Sequence, residues 1–459
     1  MYKYFIICNF ATAPYWKHDT SFYTSRLMGI KEIRNTPAYH ISYNPAFLII
    51  RQGDDYMFYN SINHKAFRLN NLEFELLNLL YTYDNKDYVL SLFEGNVRKE
   101  VERTANTINE LGILDLECEQ TSESGDTNNN DIPSTYYIHL TDECNLNCSY
   151  CYNKEWRKNG GKTLSYDEWE MIISKIMPFA RTIVFTGGEF FLVSFAHLLL
   201  KYIKERNPQI IIEGLSNGCL DYSKDYIQEA LTYIDKITLS CDSLNDCDER
   251  AGFNKRQFLD NVSLLTKHFP KTKIAIATTM TAKNNMSVDE IKNLCDKYGL
   301  EWKKTAVCPS SPKDTSLMVE LDKQVEDIKD MRQHMPQTNH WISKQIRCGA
   351  AKTVCSIDAK GNVYPCQTLH YEPFCMGNLL KLEIKELKYI ADSSNVMPGV
   401  DELMPCKICK VKYICGGGCF ANRHAYNKTG RYASLFCPTR YENSLSMLLS
   451  LNNRVQHKQ

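Results

Sequence analysis

Apolar and polar positions follow three different rhythms along the chain, and each predicts its own architecture. Near the start, the runs AFLIIRQ, DDYMFYN and HKAFRLN, the first two parted by a Gly-Asp turn, read as three short strands. Apolar residues at helical spacing follow over 71–81, 87–93 and 97–111. Three strands and then three helices suggest a winged-helix α+β domain, with a generic N-terminal α+β domain as the rival. Residues 117–135 are polar, rich in Ser, Thr and Asn and without a hydrophobic period, which is the composition of a linker.

Past the linker, strands alternate with helices. YYIHLT, TIVFT, IIIEGLS, KITLSC, TKIAIATTM and EWKKTAV read as strands beginning at Tyr136, Thr182, Ile210, Lys236, Thr272 and Glu301. Two of the intervening helices open with capping boxes, Ser165 with Glu168 and Ser287 with Glu290. Six βα units in series predict an α/β fold with a parallel sheet, as an open doubly wound sheet or a partial barrel. In both, reactive groups belong at the carboxyl ends of the strands. From Trp341 the alternation stops and cysteines become dense, as in a region held by metals rather than by a core. The expected domains are therefore 1–116, the linker 117–135, 136–340 and 341–459.

A chain of 459 residues is long enough for two or three cores, and 43% hydrophobic with 24% charged residues is a globular balance. Fifty-four basic residues against fifty-four acidic ones leave no overall field toward nucleic acid or an anionic membrane, so neither is expected as a partner. The opening MYKYFIICNF is short and lacks a small-residue cleavage site, and no apolar run is long enough to span a bilayer. A cytoplasmic location follows as the expectation. There disulfides are disfavoured, so the nineteen cysteines point to metal ligation.

The first candidate site is TDECNLNCSYCYN, directly after the first strand of the alternating region, with Cys144, Cys148 and Cys151 spaced CxxxCxxC. Chance would give three cysteines at fixed spacing on the order of 0.03 times per chain of this content. A closed zinc site wants four ligands, and the loop offers no fourth Cys or His. Three thiolates on a four-iron cubane leave one iron open to a substrate or cosubstrate.

This loop, with Tyr150 before its third cysteine, resembles the signature of the radical S-adenosylmethionine (SAM) superfamily. The resemblance implies a 4Fe-4S cluster whose open iron holds the amino and carboxylate groups of SAM, and a partial (β/α)6 TIM-type barrel around it. Reductive cleavage of SAM would then give a 5′-deoxyadenosyl radical that takes hydrogen from a substrate. Gly187, Gly188 and Glu189 in TGGEF match the family's glycine-rich segment near the methionyl amine, where a residue without a side chain permits close approach. Ser216 and Asn217 in LSNG, and Ser240 and Asp242 in LSCDS, match its polar ribose and methionyl contacts; taken alone, such residues are more often strand-end caps or Asx turns.

The cysteine-dense end reads CGAAKTVCSIDAKGNVYPC, then CKICKVKYICGGGC, then Cys437. It is similar to the SPASM domain, which follows radical SAM barrels in peptide and protein maturases and holds two auxiliary 4Fe-4S clusters. The resemblance implies Cys348, Cys355, Cys366 and Cys419 for the first auxiliary cluster and Cys406, Cys409, Cys415 and Cys437 for the second. Relatives vary at the position of Cys355; without it the first auxiliary cluster would have an open iron. Paired zinc ribbons are the rival for this segment. Cys8, Cys118, Cys219, Cys241, Cys247, Cys295, Cys308 and Cys375 have no cluster spacing and are expected to pack as small hydrophobes.

The N-terminal region resembles the PqqD-like RiPP recognition element, a winged helix that takes up a leader peptide as an added strand. Together these resemblances cover nearly the whole chain and come closest to sactipeptide and related thioether synthases. They imply an oxidoreductase that modifies a ribosomally made precursor peptide, forming a cysteine-derived thioether, with three 4Fe-4S clusters, SAM, and an external electron donor such as flavodoxin or ferredoxin. The rivals are a leader-independent maturase of the sulfatase or amine dehydrogenase type, a carbon-carbon crosslinking or epimerising enzyme, and a non-catalytic zinc or iron-sulfur module. No catalytic general base is identifiable in the sequence.

Overall fold

The computed structural model describes residues 41, 44, 46–116, 132–157, 163–244, 249–281, 288–307, 349–387, 400–427 and 437–451. The opening apolar segment, most of the linker, Ser287, and Cys8, Cys118, Cys247, Cys308 and Cys348 lie outside the described residues.

In the N-terminal region β1 (Phe47–Gln52), β2 (Asp55–Asn60) and β3 (Ala66–Asn70) form an antiparallel sheet in that order. Gln52 pairs with Asp55, so the hairpin turn is two residues long, and Gly53 meets its positive φ of 63° without a steric cost. The helices are α1 (Asn71–Tyr83), α2 (Lys86–Ser91) and α3 (Gly95–Glu110). Asn70 and Glu73 close a reciprocal capping box at the start of α1. Because side chains alternate along a strand, the sheet has two apolar faces. Phe47, Phe58 and Leu69 pack on Leu77, Val101 and Ile108 of the helices, whereas Met57 and Tyr59 pack on Val411, Ile414, Leu448 and Leu451 from the far end of the chain. Lys410 Nζ donates to Phe47 O at 2.8 Å and Arg68 Nη2 to Leu449 O at 2.8 Å across this second contact.

The middle region builds β4 (Thr135–Thr141), β5 (Asn147–Cys148), α4 (Lys154–Arg157), α5 (Tyr166–Ile176), β6 (Thr182–Gly187), α6 (Ala196–Arg206), β7 (Ile211–Ser216), α7 (Asp225–Thr232), β8 (Lys236–Ser240), β9 (Arg250–Ala251), α8 (Lys255–His268), β10 (Lys273–Met280), α9 (Val288–Tyr298) and β11 (Glu301–Ala306). The sheet runs β11-β10-β8-β7-β6-β4, with all these pairs parallel. Each new strand lies beside its predecessor. A doubly wound sheet reverses direction about its first strand, so this order fits the partial barrel of the two expected architectures. Tyr136, Ile138 and Leu140 of β4, Ile183 and Phe185 of β6, and Ile237 and Leu239 of β8 enter one core with Trp169, Ile172 and Ile176 of α5. The odd-numbered residues of β4 therefore point to the other face of the sheet.

The sheet does not stop where the cysteine-rich region begins. β12 (Val354–Ile357) pairs parallel with β4, and β13 (Asn362–Tyr364) and β14 (Gly377–Asn378) continue antiparallel. Cys355, Ile357, Val363 and Leu379 belong to the same core as β4. This part is thus carried by the sheet, unlike the coreless region expected from composition. Beyond it come α10 (Lys412–Cys415), α11 (Phe420–Asn427) and α12 (Cys437–Ser450). Among the described residues no helix is long and apolar enough to cross a membrane.

Candidate functional site

The cysteine loop leaves the carboxyl end of β4 and is tied to the loop that leaves β6. Gly188 N donates to Thr141 O and Glu189 N to Glu143 O, both at 2.7 Å. The two glycines are needed for that contact. A Cβ on Gly188 would lie 1.9 Å from Glu143 O, and one on Gly187, at φ 118°, would lie 2.3 Å from Thr141 O. Their small size seats one loop upon the other.

Within the loop, Cys151 N donates to Cys148 O, and Leu146 N points at Cys144 Sγ from 3.4 Å. Tyr150 occupies the turn between Cys148 and Cys151, half-buried. β5 pairs antiparallel with β9, which sets Cys148 opposite Arg250, and Ser149 N donates to Glu249 O at 2.8 Å. From the end of β7, Asn217 Nδ2 reaches Asn145 Oδ1 at 2.8 Å and Cys144 Sγ at 3.7 Å. Thus residues from several strand ends converge on the loop that carries the three thiols.

Glu189 is fully buried, and its carboxyl ties β6 to β7. Oε2 accepts Ser216 Oγ at 2.9 Å and Asn217 N at 2.7 Å, and Oε1 accepts Phe191 N at 3.3 Å. Burial pushes its pKa up to about 7, against the opposing hydrogen bonds from Asn217 and Ser216. Tyr222 Oη donates to Ser216 Oγ at 2.7 Å, so Ser216 is held inside this network. Among the residues expected to contact SAM, Glu189 and Ser216 are placed as supports of Asn217, whose amide faces the thiols. Asp242, after β8, accepts Thr279 N at 2.7 Å; burial raises its pKa while Arg250 opposes that rise. Ser240 contributes its main-chain carbonyl, which accepts Arg250 Nη1.

Arg250 and Glu249 were not singled out in the sequence. Each is one charged residue in a polar stretch, and only the two-residue β5–β9 ladder brings them to the site. Arg250 is buried, its Nη2 donates to Asn217 O at 3.3 Å, and its charged neighbours are led by Asp242 and Cys148. Burial pushes the Cys148 thiol up to about 11, with Arg250 opposing, and raises Cys144 as well. Burial thus holds the protons on Cys144 and Cys148, which a metal must displace. The N–H groups aimed at Cys144 and the cation beside Cys148 favour that exchange. A donor set of three soft thiols with such compensation fits an iron-sulfur cluster.

The cysteine-rich region brings several of its thiols together. Cys355 is buried in the sheet core, and burial pushes it up to about 12 with Cys366 as its charged neighbour. Cys366 and Cys419 both border the apolar group of Tyr364, Leu369, Phe374 and Phe420. Cys406 is within electrostatic reach of Cys415, and Cys409 borders the Met57–Leu448 contact and is felt by Tyr441 of α12, the helix that Cys437 opens. Among the described residues no three Cys, His, Asp or Glu side chains close around a single ion. Ligands of a cluster stand farther apart, since each meets a different iron. Of the cysteines outside the cluster spacings, Cys241 and Cys295 are buried as expected, but Cys375 is exposed. It stands between Phe374 and Met376, whose side chains take the buried positions on either side of it.

A contact absent from the sequence reading joins the barrel to this region. His139 of β4 packs its ring 4.3 Å from that of His370, and His370 Nε2 lies 2.8 Å from Ser356 Oγ on β12. Burial lowers both, His139 to about 3, so the pair is neutral at ordinary pH.

Residues 138–298 match the family model of the radical SAM superfamily, and residues 348–410 match that of the SPASM iron-sulfur cluster-binding domain. The subtilosin biosynthesis protein AlbA of Bacillus subtilis strain 168 is 23% identical over 317 residues, 64% of this chain and 66% of its own length. In fold, the chain resembles anSMEcpe with bound SAM (TM-score 0.52, 18% identity, 70% of this chain and 99% of that one). It also resembles Streptococcus suis SuiB (TM-score 0.51, 15% identity, 85% and 98%). The chain thus carries a radical SAM domain followed by a SPASM domain, and its cofactors are SAM and iron-sulfur clusters.

Proposed function

We propose that this protein is a radical SAM peptide maturase that binds the leader of a ribosomally made precursor and joins a peptide cysteine to carbon as a thioether. The observation that carries the reading is the convergence of Asn217, Arg250 and the Gly187–Gly188 loop on the segment that holds Cys144, Cys148 and Cys151. With clusters and SAM bound, the chemistry supplied is a 5′-deoxyadenosyl radical for hydrogen removal and an acceptor for the electron left after the sulfur-carbon bond forms.

The chain's own residues do the rest. Cys144, Cys148 and Cys151 would hold the SAM-binding cluster, with Leu146 N and Asn217 Nδ2 directed at Cys144. Cys355, Cys366 and Cys419, with Cys348, would hold the first auxiliary cluster, and Cys406, Cys409, Cys415 and Cys437 the second. The N-terminal sheet with its three helices is read as the winged-helix, PqqD-like leader-binding element. Among the described residues β1 and β3 each pair on one side only, which suits addition of a peptide strand. Similarity to AlbA, and in fold to SuiB, which has also been solved bound to its precursor peptide SuiA, supports a peptide substrate. Similarity in fold to anSMEcpe keeps leader-independent maturation as the second reading.

The test is anaerobic reconstitution with SAM, a strong reductant and a candidate precursor peptide. A thioether product is lighter by two hydrogens and has lost an alkylatable thiol, a carbon-carbon link keeps the thiol, and an epimer keeps the mass. Cys148→Ala should form no 5′-deoxyadenosine, and cleavage of SAM by that variant would overturn the assignment.

A further inference from the structure

We infer that Arg423 is a cation that sets the reduction potential of the auxiliary iron-sulfur site, an inference that rests on the auxiliary cysteine sets proposed above. Those two sets meet at one turn. Cys415 is assigned to the second and Cys419 to the first, and only Gly416, Gly417 and Gly418 stand between them. All three glycines are left-handed, with φ of 66°, 73° and 75°, a run that residues with a side chain rarely adopt. The bare turn lets two guanidinium groups lie against it. A Cβ on Gly417 would stand 3.3 Å from Arg423 Nη1, and one on Gly418 would stand 3.0 Å from Arg440 Nε.

Arg423 is the more deeply buried of the pair, 3% exposed where Arg440 is half-buried. It lies one turn into α11, its N donates to Cys419 O at 3.2 Å, and its guanidinium stands 5.3 Å from the centre of the Phe420 ring. Burial and Cys415 push the Cys406 thiol up, and the charge of Arg423 opposes them. Arg423 therefore meets both sets, the first through its backbone and the second through its charge. Burying a guanidinium is costly unless negative charge lies close, and thiolates gathered on iron bring that charge to the turn. An added electron makes such a site more negative still, so a cation at short range favours the reduced form. That favours uptake of the electron left when the sulfur-carbon bond forms.

The test uses the full chain with Cys144, Cys148 and Cys151 all changed to alanine, so that only auxiliary signals remain. This parent and its Arg423→Met, Arg423→Gln and Arg423→Lys forms are reconstituted anaerobically and titrated potentiometrically with electron paramagnetic resonance, with iron content and visible spectrum as controls. The parent should hold about eight irons. Each neutral variant should move an auxiliary couple down by about 59 mV, a tenfold change in the ratio of reduced to oxidised form for one electron, with iron unchanged. Arg423→Lys should stay near the parent. Unmoved couples in both neutral variants overturn the inference, as does a lysine variant shifted as far as they are. Loss of iron from a folded neutral variant also overturns it, because Arg423 would then be a support of the turn. If the methionine variant does not fold, the glutamine variant decides. A parent that takes up no iron sinks the cysteine sets themselves, a result distinct from the others.

Discussion

Arg250 stands directly across the β5–β9 ladder from Cys148, so a buried cation is built into the edge of the three-cysteine loop. Bonds to Ser240 O and Asn217 O fix its guanidinium. Adding an electron to a thiolate-ligated cluster adds negative charge, which a nearby cation stabilises. Arg250→Met should therefore lower the cluster's reduction potential by on the order of 60 mV, a tenfold change for a one-electron couple. Arg250→Lys should retain most of it. Potentiometric titration followed by electron paramagnetic resonance measures both, and an unshifted potential in the methionine variant with full iron content would refute this role.

Glu189 makes stability depend on pH through a carboxyl raised from 4.5 to about 7 in the folded chain. Between those values the folded state holds a proton that the unfolded state has lost. Its contribution is therefore complete below about pH 4.5 and is lost as pH rises through 7, with a size of ~3 kcal/mol. Melting temperature should fall between pH 5 and pH 8 in the wild type and follow a flatter course in Glu189→Gln. Parallel profiles would assign the effect to other groups.

The elements that were legible in the sequence are those written in local periodicity. The three N-terminal strands, the six central strands and the Ser165–Glu168 capping box all form where alternation or spacing placed them. Contacts made by distant segments carry no such period. Arg250 reaches Cys148 through a ladder of two residues, too short to leave a pattern, and the bonds that Ser216 and Asn217 make to the Glu189 carboxyl join segments well apart in the chain. Val354–Ile357 was hidden for another reason: four residues amid cysteines read as a metal-binding loop, although they continue the sheet beside β4.

Cys355 combines two roles that one substitution separates. As a core side chain beside Ile357 and Val363 it occupies little volume, so Cys355→Ala should cost stability no more than about 1 kcal/mol. As a ligand with Cys366 it would be needed for a closed first auxiliary cluster. The anaerobically purified variant should then keep its iron but show the altered spectrum of a first auxiliary cluster with one iron lacking a protein ligand. Unchanged iron and an unchanged spectrum would remove Cys355 from the ligand set.

Leu448 joins the two ends of the chain. It is buried against Met57 and Tyr59 on the face of the N-terminal sheet opposite its helices, beside Val411 and Ile414, which flank the second group of cysteines. Truncation to alanine removes apolar contacts on both sides at once, and a buried Leu→Ala change costs about 2–5 kcal/mol. Because the N-terminal sheet keeps its own core with α1 and α3, the loss falls on the contact between regions and leaves that core standing. Leu448→Ala should therefore split the thermal transition in differential scanning calorimetry, with the C-terminal part melting first, while far-ultraviolet circular dichroism at 25 °C stays the same. A single transition shifted as a whole would mean that the N-terminal sheet has no stability apart from this contact.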